Sequence, residues 1–137
     1  MKKAKDLLRR MHMGSCEVVG GHVFFTDPSI TEAMATFGYD FLWIDGEHGP
    51  FDKQNLLMHV MAANEGGSAA FVRVAANDPV IIKPILEMGI DGIIIPMVLT
   101  EQETKDAMAA CLYPPEGIRG FGPRRAIGYG QWICKST

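Results

Sequence analysis

Asp27-Pro28, followed by Gly38-Tyr39-Asp40 and the run Phe41-Leu42-Trp43-Ile44, returns later as Asp78-Pro79, Gly89-Ile90-Asp91 and Gly92-Ile93-Ile94-Ile95 at the same spacing. Asp is a favoured helix N-cap, and Pro is pre-organised for the first helical position. In the first copy Ile30, Met34, Ala35 and Phe37 put apolar side chains on one side of a helix. Gly38 and Gly89 stand where a helix terminates in a left-handed residue. The short apolar run after each glycine fits a strand covered on both faces, as parallel strands are. The repeat is therefore a helix–strand unit.

Working outward, 54–64 reads as another helix, Gly66-Gly67 as its stop and 69–74 as a strand. The full expectation is a helix over 2–12, strand 17–25, helix 28–37, strand 40–45, helix 53–64, strand 69–74, helix 79–88, strand 92–97 and helix 100–111. Alternating strands and helices with short connections predict a parallel sheet with right-handed crossovers. Pro84 falls inside the helix over 79–88, removes the hydrogen bond to the Val80 carbonyl and is expected to kink it. Four such units do not close a (β/α)8 barrel, which takes about 250 residues. Two folds remain open, a small open α/β sheet or the first half of a barrel, in either case as one domain over 1–137.

Composition narrows the function classes. The chain has 137 residues, 47% hydrophobic and 21% charged, with 13 basic and 16 acidic side chains and a net charge of -3. Without a basic arm or block, a nucleic-acid partner is not expected. The longest apolar run, 93–99, is far short of the ~20 residues that span a bilayer, and the charged N-terminus lacks the pattern of a signal peptide. Cys16, Cys111 and Cys134 are odd in number and widely spaced, which reads as reduced thiols in a cytoplasmic protein. Neither a Gly-x-Gly-x-x-Gly turn nor a P-loop supports nucleotide binding.

In parallel α/β folds the site lies at the carboxyl ends of the strands. Asp45-Gly46-Glu47-His48-Gly49-Pro50 sits at one such end. His48 is the side chain best poised for proton transfer near neutral pH, and Asp45 or Glu47 is placed to orient it; a solvated surface loop explains the same residues. Arg73, at the end of an apolar strand, must meet an anion, either a protein carboxylate or a substrate. The Gly/Pro-rich stretch 113–126 carries Arg119, Arg124 and Arg125 and reads as an anion-binding lid or as a plain connector. His22 and His59 read as structural or surface residues.

These residues resemble a known family. Gly38-Tyr39-Asp40-Phe41 leading to Ile44-Asp45-Gly46-Glu47-His48-Gly49-Pro50 looks like the signature of the HpcH/HpaI aldolases, and the likeness continues in order through Val72-Arg73-Val74, Asn77-Asp78-Pro79, Ile82-Lys83, Gly89-Ile90-Asp91-Gly92 and Pro96-Met97-Val98. Tyr113-Pro114-Pro115, Gly117, Arg119-Gly120, Arg125-Ala126 and Tyr129-Gly130 extend it. The resemblance implies a (β/α)8 barrel and a class II, divalent-metal-dependent (Mg or Mn) carbon–carbon lyase. Such enzymes cleave 2-oxo-4-hydroxy acids to pyruvate, or a close analogue, and an aldehyde. It implies His48 as general base, Asp45 as the carboxylate assisting its loop, and Arg73 as the group that holds the pyruvyl unit and stabilises its enolate. The family's aspartate that partners the catalytic histidine falls on Glu87, a longer side chain. A homo-oligomer and a small 2-oxo acid substrate are implied as well.

The family's metal ligands, a Glu and an Asp of the fifth and sixth strands, have no counterpart before Thr137, so none is assigned here. The sequence thus looks like the N-terminal half of an aldolase, for which negligible metal-dependent turnover is expected in isolation. The alternative is a catalytically inactive α/β module that self-associates through open sheet edges.

Overall fold

The computed structural model describes residues 2–14 and 17–131. Cys16 and Cys134 lie outside them; Cys111 is a free thiol. In chain order the elements are α1 (Lys2–Met13), β1 (Gly20–Val23), α2 (Pro28–Thr36), β2 (Phe41–Asp45), α3 (Lys53–Glu65), β3 (Ala69–Arg73), α4 (Pro79–Glu87), β4 (Gly92–Ile94) and α5 (Glu101–Cys111). A 3-10 segment, Arg125–Gly130, follows.

The helix starts obey the expected chemistry. Asp27 and Asp78 cap α2 and α4 through the backbone N–H of Ser29 and Val80, each with Pro at the first position. Asp52 caps α3, and Thr100 with Glu103 forms a capping box on α5. Gly38 and Gly89 leave α2 and α4 with φ of 95° and 72°, the left-handed region that favours glycine. α4 remains a single helix through Pro84.

All four strands are parallel and ordered β1-β2-β3-β4, so each pairs with its neighbour in sequence. A doubly wound sheet reverses its strand order at a switch point, whereas a barrel winds one way. The order found here is that of consecutive barrel units, as expected for the first half of a barrel.

Register then separates two faces. Val23, Leu42, Ile44, Ala70 and Val72 are fully buried beneath the helices, against Leu56, Val60 and Ala63 of α3 and Ile82 and Ile85 of α4. The opposite face, the barrel's inner wall, is layered. Gly20 pairs with Phe41 at the amino-terminal level; His22, Trp43, Phe71 and Gly92 form the next level; Asp45, Arg73 and Ile94 stand at the carboxyl level. Gly20 and Gly92 leave room for aromatic rings, since a Cβ on either would meet the ring of Phe41 or Phe71 within 3 Å.

Two strands are shorter than their sequence suggested. β1 occupies Gly20–Val23 within 17–25, and β4 ends at Ile94 rather than at 97. Pro96 has no N–H for a ladder and Met97 turns to a φ of 54°, so the extended run breaks there.

Candidate active site

At the carboxyl level Asp45 and Arg73 stand opposite each other on adjacent strands. Arg73 grips Asp45 with a fork, Nε to Oδ1 at 2.9 Å and Nη2 to Oδ2 at 2.6 Å. Its Nε also lies 3.1 Å from Oε2 of Glu47. Asp45 is 2% exposed. The arginine hydrogen bonds hold its carboxyl well below the usual carboxylate range, against the opposing effect of burial. Asp45 is therefore an ionised acceptor throughout the physiological range.

The turn after β2 is folded around the same carboxylate. Oδ1 accepts the backbone N–H groups of Glu47 and His48, each at 3.2 Å, and the Asp45 carbonyl accepts the N–H of Gly49 at 2.9 Å. A Cβ at Gly46 would lie 2.6 Å from the Arg73 carbonyl oxygen and one at Gly49 would lie 2.4 Å from that of Asp45, so both positions need glycine for close approach. His48 is carried outward on this turn and its side chain is 72% exposed. Its Nε2 lies 3.6 Å from Glu47 Oε2, beyond hydrogen-bond length.

Two further side chains that the sequence did not mark complete the pole. His22 on β1 places Nε2 3.1 Å from Asp45 Oδ2, on a side chain 43% exposed. Trp43 stacks against the His22 ring at 4.6 Å and lies beneath the Arg73 guanidinium at 4.8 Å. Its Nε1 is buried without a hydrogen-bond partner among the described residues. Strand parity was the available signal: His22, Trp43 and Asp45 fall on one face once β1 and β2 are in register.

Glu87 stands elsewhere. α4 runs back against β3, so its last residue returns roughly 12 Å along the helix axis toward the amino ends of the strands. There Glu87 pairs with Arg119 at 3.0 Å. Within one chain, then, the expected His48–Glu87 partnership is not made. The lid reading of 113–126 is corrected on the same ground. Arg119 is held by Glu87 and stacks over Tyr113, while Arg125 donates to the carbonyls of Met88 and Gly89 and to Asn64 Oδ1. These arginines tie the C-terminal stretch to the end of α4, beside a cavity of about 690 Å³ lined by Lys83, Glu87, Phe121 and Tyr129. His59 is a core residue, fully buried with Nδ1 2.6 Å from Thr31 Oγ1.

No three His, Cys, Asp or Glu side chains among the described residues are grouped to hold a metal ion. At the pole itself, the carboxylate oxygens of Asp45 are already occupied by Arg73, His22 and backbone N–H groups. The residues present do not fit a divalent metal site.

The sequential parallel sheet is that of the (β/α)8 barrel proteins, and comparison with known proteins places the chain in one family of them. The sequence profile of the HpcH/HpaI aldolase/citrate lyase family matches residues 21–134. This chain belongs to that family. It is 44% identical over 95 residues to the 5-keto-4-deoxy-D-glucarate aldolase of Escherichia coli O139:H28 (strain E24377A / ETEC), a match covering 69% of this chain and 37% of that protein. A HpcH/HpaI aldolase/citrate lyase family protein from Burkholderia cenocepacia J2315 superposes with a TM-score of 0.85 at 29% identity, over 92% of this chain and 52% of that one. The citrate synthase SbnG gives a TM-score of 0.78 at 32% identity, over 85% and 47%. The chain thus spans about half the length of the solved relatives, and the match to the curated aldolase spans less.

Proposed function

We propose that the Asp45–Arg73 pole is the 2-oxo-acid-binding part of a carbon–carbon lyase site. In this reading the substrate is a 2-oxo-4-hydroxy acid, and the products are pyruvate, or a close analogue, and an aldehyde. One observation carries it. Arg73 is locked in place by Asp45 and Glu47 through Nε and Nη2, yet its Nη1 has no partner among the described residues. A guanidinium oriented by two carboxylates, with donors left over at the carboxyl pole, is prepared for a planar carboxylate or oxo group.

The chemistry follows from these residue types. His48 takes the proton of the 4-hydroxyl; the C3–C4 bond breaks as the aldehyde carbonyl forms; the electron pair moves into an enolate whose oxygen faces Arg73. Asp45 keeps Arg73 aimed and folds the turn that carries His48. Glu87 serves this step only if it is supplied from outside the chain's own pole. Resemblance to the family implies Mg or Mn, for which the described residues offer no grouped ligands. The reading takes the protein to be cytoplasmic, with a thiol at Cys111 that stays reduced; no described helix is long and apolar enough to cross a membrane.

Titration of the chain with pyruvate, and with oxalate as a planar enolate mimic, tests the reading. Saturable binding that moves the Arg73 Nε–H resonance is expected. Arg73→Lys, which keeps the charge but loses the fork, is expected to weaken binding by about tenfold or more, roughly 1.4 kcal/mol. Equal affinity in the Arg73→Lys chain would remove the argument.

A further inference from the structure

The pole holds two imidazoles, and the one the sequence pointed to is the less constrained. His48 rides an exposed turn with no hydrogen bond to its ring among the described residues. His22 is fixed on three sides. Its Nε2 meets Asp45 Oδ2 at 3.1 Å, its plane stacks on Trp43 at 4.6 Å with 27° between planes, and Phe24 closes the other flank at 5.3 Å.

The tautomer follows from the acceptor. Asp45 has no proton to give, so the hydrogen between the two groups sits on His22 Nε2. Nδ1 is then the nitrogen with free capacity, a base when the ring is neutral and a donor when it is charged. No described residue bonds to it, on a side chain 43% exposed. A carboxylate that fixes one ring nitrogen and leaves the other open is the arrangement by which an imidazole is prepared for proton transfer. Trp43, on which the ring stacks, brings a buried N–H without an acceptor to the same level, and Arg73 covers its other neighbourhood.

Cleavage of a 2-oxo-4-hydroxy acid needs two proton transfers at two different atoms. One removes the hydroxyl proton; the other delivers a proton to the enolate carbon left behind. We infer that His22 is the second catalytic imidazole of this pole, touching the oxo acid through Nδ1 and carrying the proton of the enolate carbon. In the cleavage direction the imidazolium gives its Nδ1 proton to the methylene carbon. The enolate electron pair becomes the new C–H bond, the pyruvate methyl group forms, and His22 is left neutral with Nε2–H still on Asp45. Solvent restores the lost proton. The reverse step removes a methyl proton from pyruvate. This inference rests on the reading of the pole as an oxo-acid site.

Two measurements on the 137-residue chain test it. In long-range 1H–15N spectra of the imidazoles, added pyruvate is expected to shift His22 Nδ1 saturably, in step with Arg73 Nε. In D2O, the chain is expected to exchange the methyl protons of pyruvate, and His22→Phe to slow that exchange by about 10²-fold while binding pyruvate within a few-fold of the parent. Phe preserves the ring stack on Trp43. His22→Gln, which keeps an N–H for Asp45 but has no basic nitrogen, is expected to show the same split between binding and exchange. Movement of Arg73 without His22, absence of exchange in the parent chain, or undiminished exchange in both variants would overturn the role of His22 and leave the oxo-acid reading standing. Silence of both Arg73 and His22 would remove the oxo-acid reading and this inference together.

Discussion

Asp45 and His59 are both buried, and their environments favour opposite charge states, the carboxylate ionised and the imidazole neutral. Asp45 accepts five hydrogen bonds, two from Arg73, one from His22 and two from the turn backbone, all of which favour its charged form. His59 has one side-chain partner, Thr31, while Nε2 is unpartnered among the described residues and Phe51 lies edge-on at 5.0 Å. Burial pushes the His59 imidazole below its ordinary value, only partly offset by the nearby Thr26 backbone and Asp27. The folded chain therefore binds this proton less readily than the unfolded chain does. Its contribution to stability is complete above the unfolded value of about 6.5 and declines as pH falls below it, at up to about 1.4 kcal/mol per pH unit. Urea midpoints at about pH 7.5 and about pH 5.5 should thus differ more for the parent than for His59→Gln. Identical pH dependence in the two chains would show that His59 does not drive it.

The helix–strand unit is governed at its ends by short-range chemistry. Asp78 caps α4 through Val80 N–H at 2.7 Å, and removing that acceptor exposes an orphan donor at the first turn. Asp78→Ala is expected to cost about 1 kcal/mol in chemical denaturation, and Asp78→Asn only a few tenths; equal losses would mean that charge rather than the hydrogen bond matters. Because caps and glycine stops depend on adjacent residues, the order of the α-helices and strands was legible in the sequence, whereas the 3-10 segment Arg125–Gly130 was not. Strand lengths were not, since a ladder extends only as far as its neighbour allows: β4 stops at Ile94, opposite Arg73. The same limit applies at the site. Asp45, Arg73 and His48 announced themselves by type and position, whereas His22 joins them only through the register of β1 on β2. Glu87 and Arg119 met each other because α4 returns to the far pole, a fact of helix length and direction that no motif spells out.

At the scale of the molecule, β1 and β4 each have a single neighbour in the sheet among the described residues, and the inner wall presents half-buried Phe41, Trp43 and Phe71 with an exposed Phe24. Unpaired strand edges beside aromatic surface favour pairing with another chain. The homo-oligomer implied by the family resemblance is thus expected as concentration-dependent association in analytical ultracentrifugation, and a monodisperse monomer over the whole concentration range would contradict it. The strictly sequential strand order has a consequence of another kind. Every strand finds its partner within the preceding helix–strand unit, so contacts that build the sheet never await a distant segment and the entropic cost of closing each loop stays small. A ribosome emitting this polypeptide releases it in an order that matches its assembly, with each newly emerged unit adding to a template already in place.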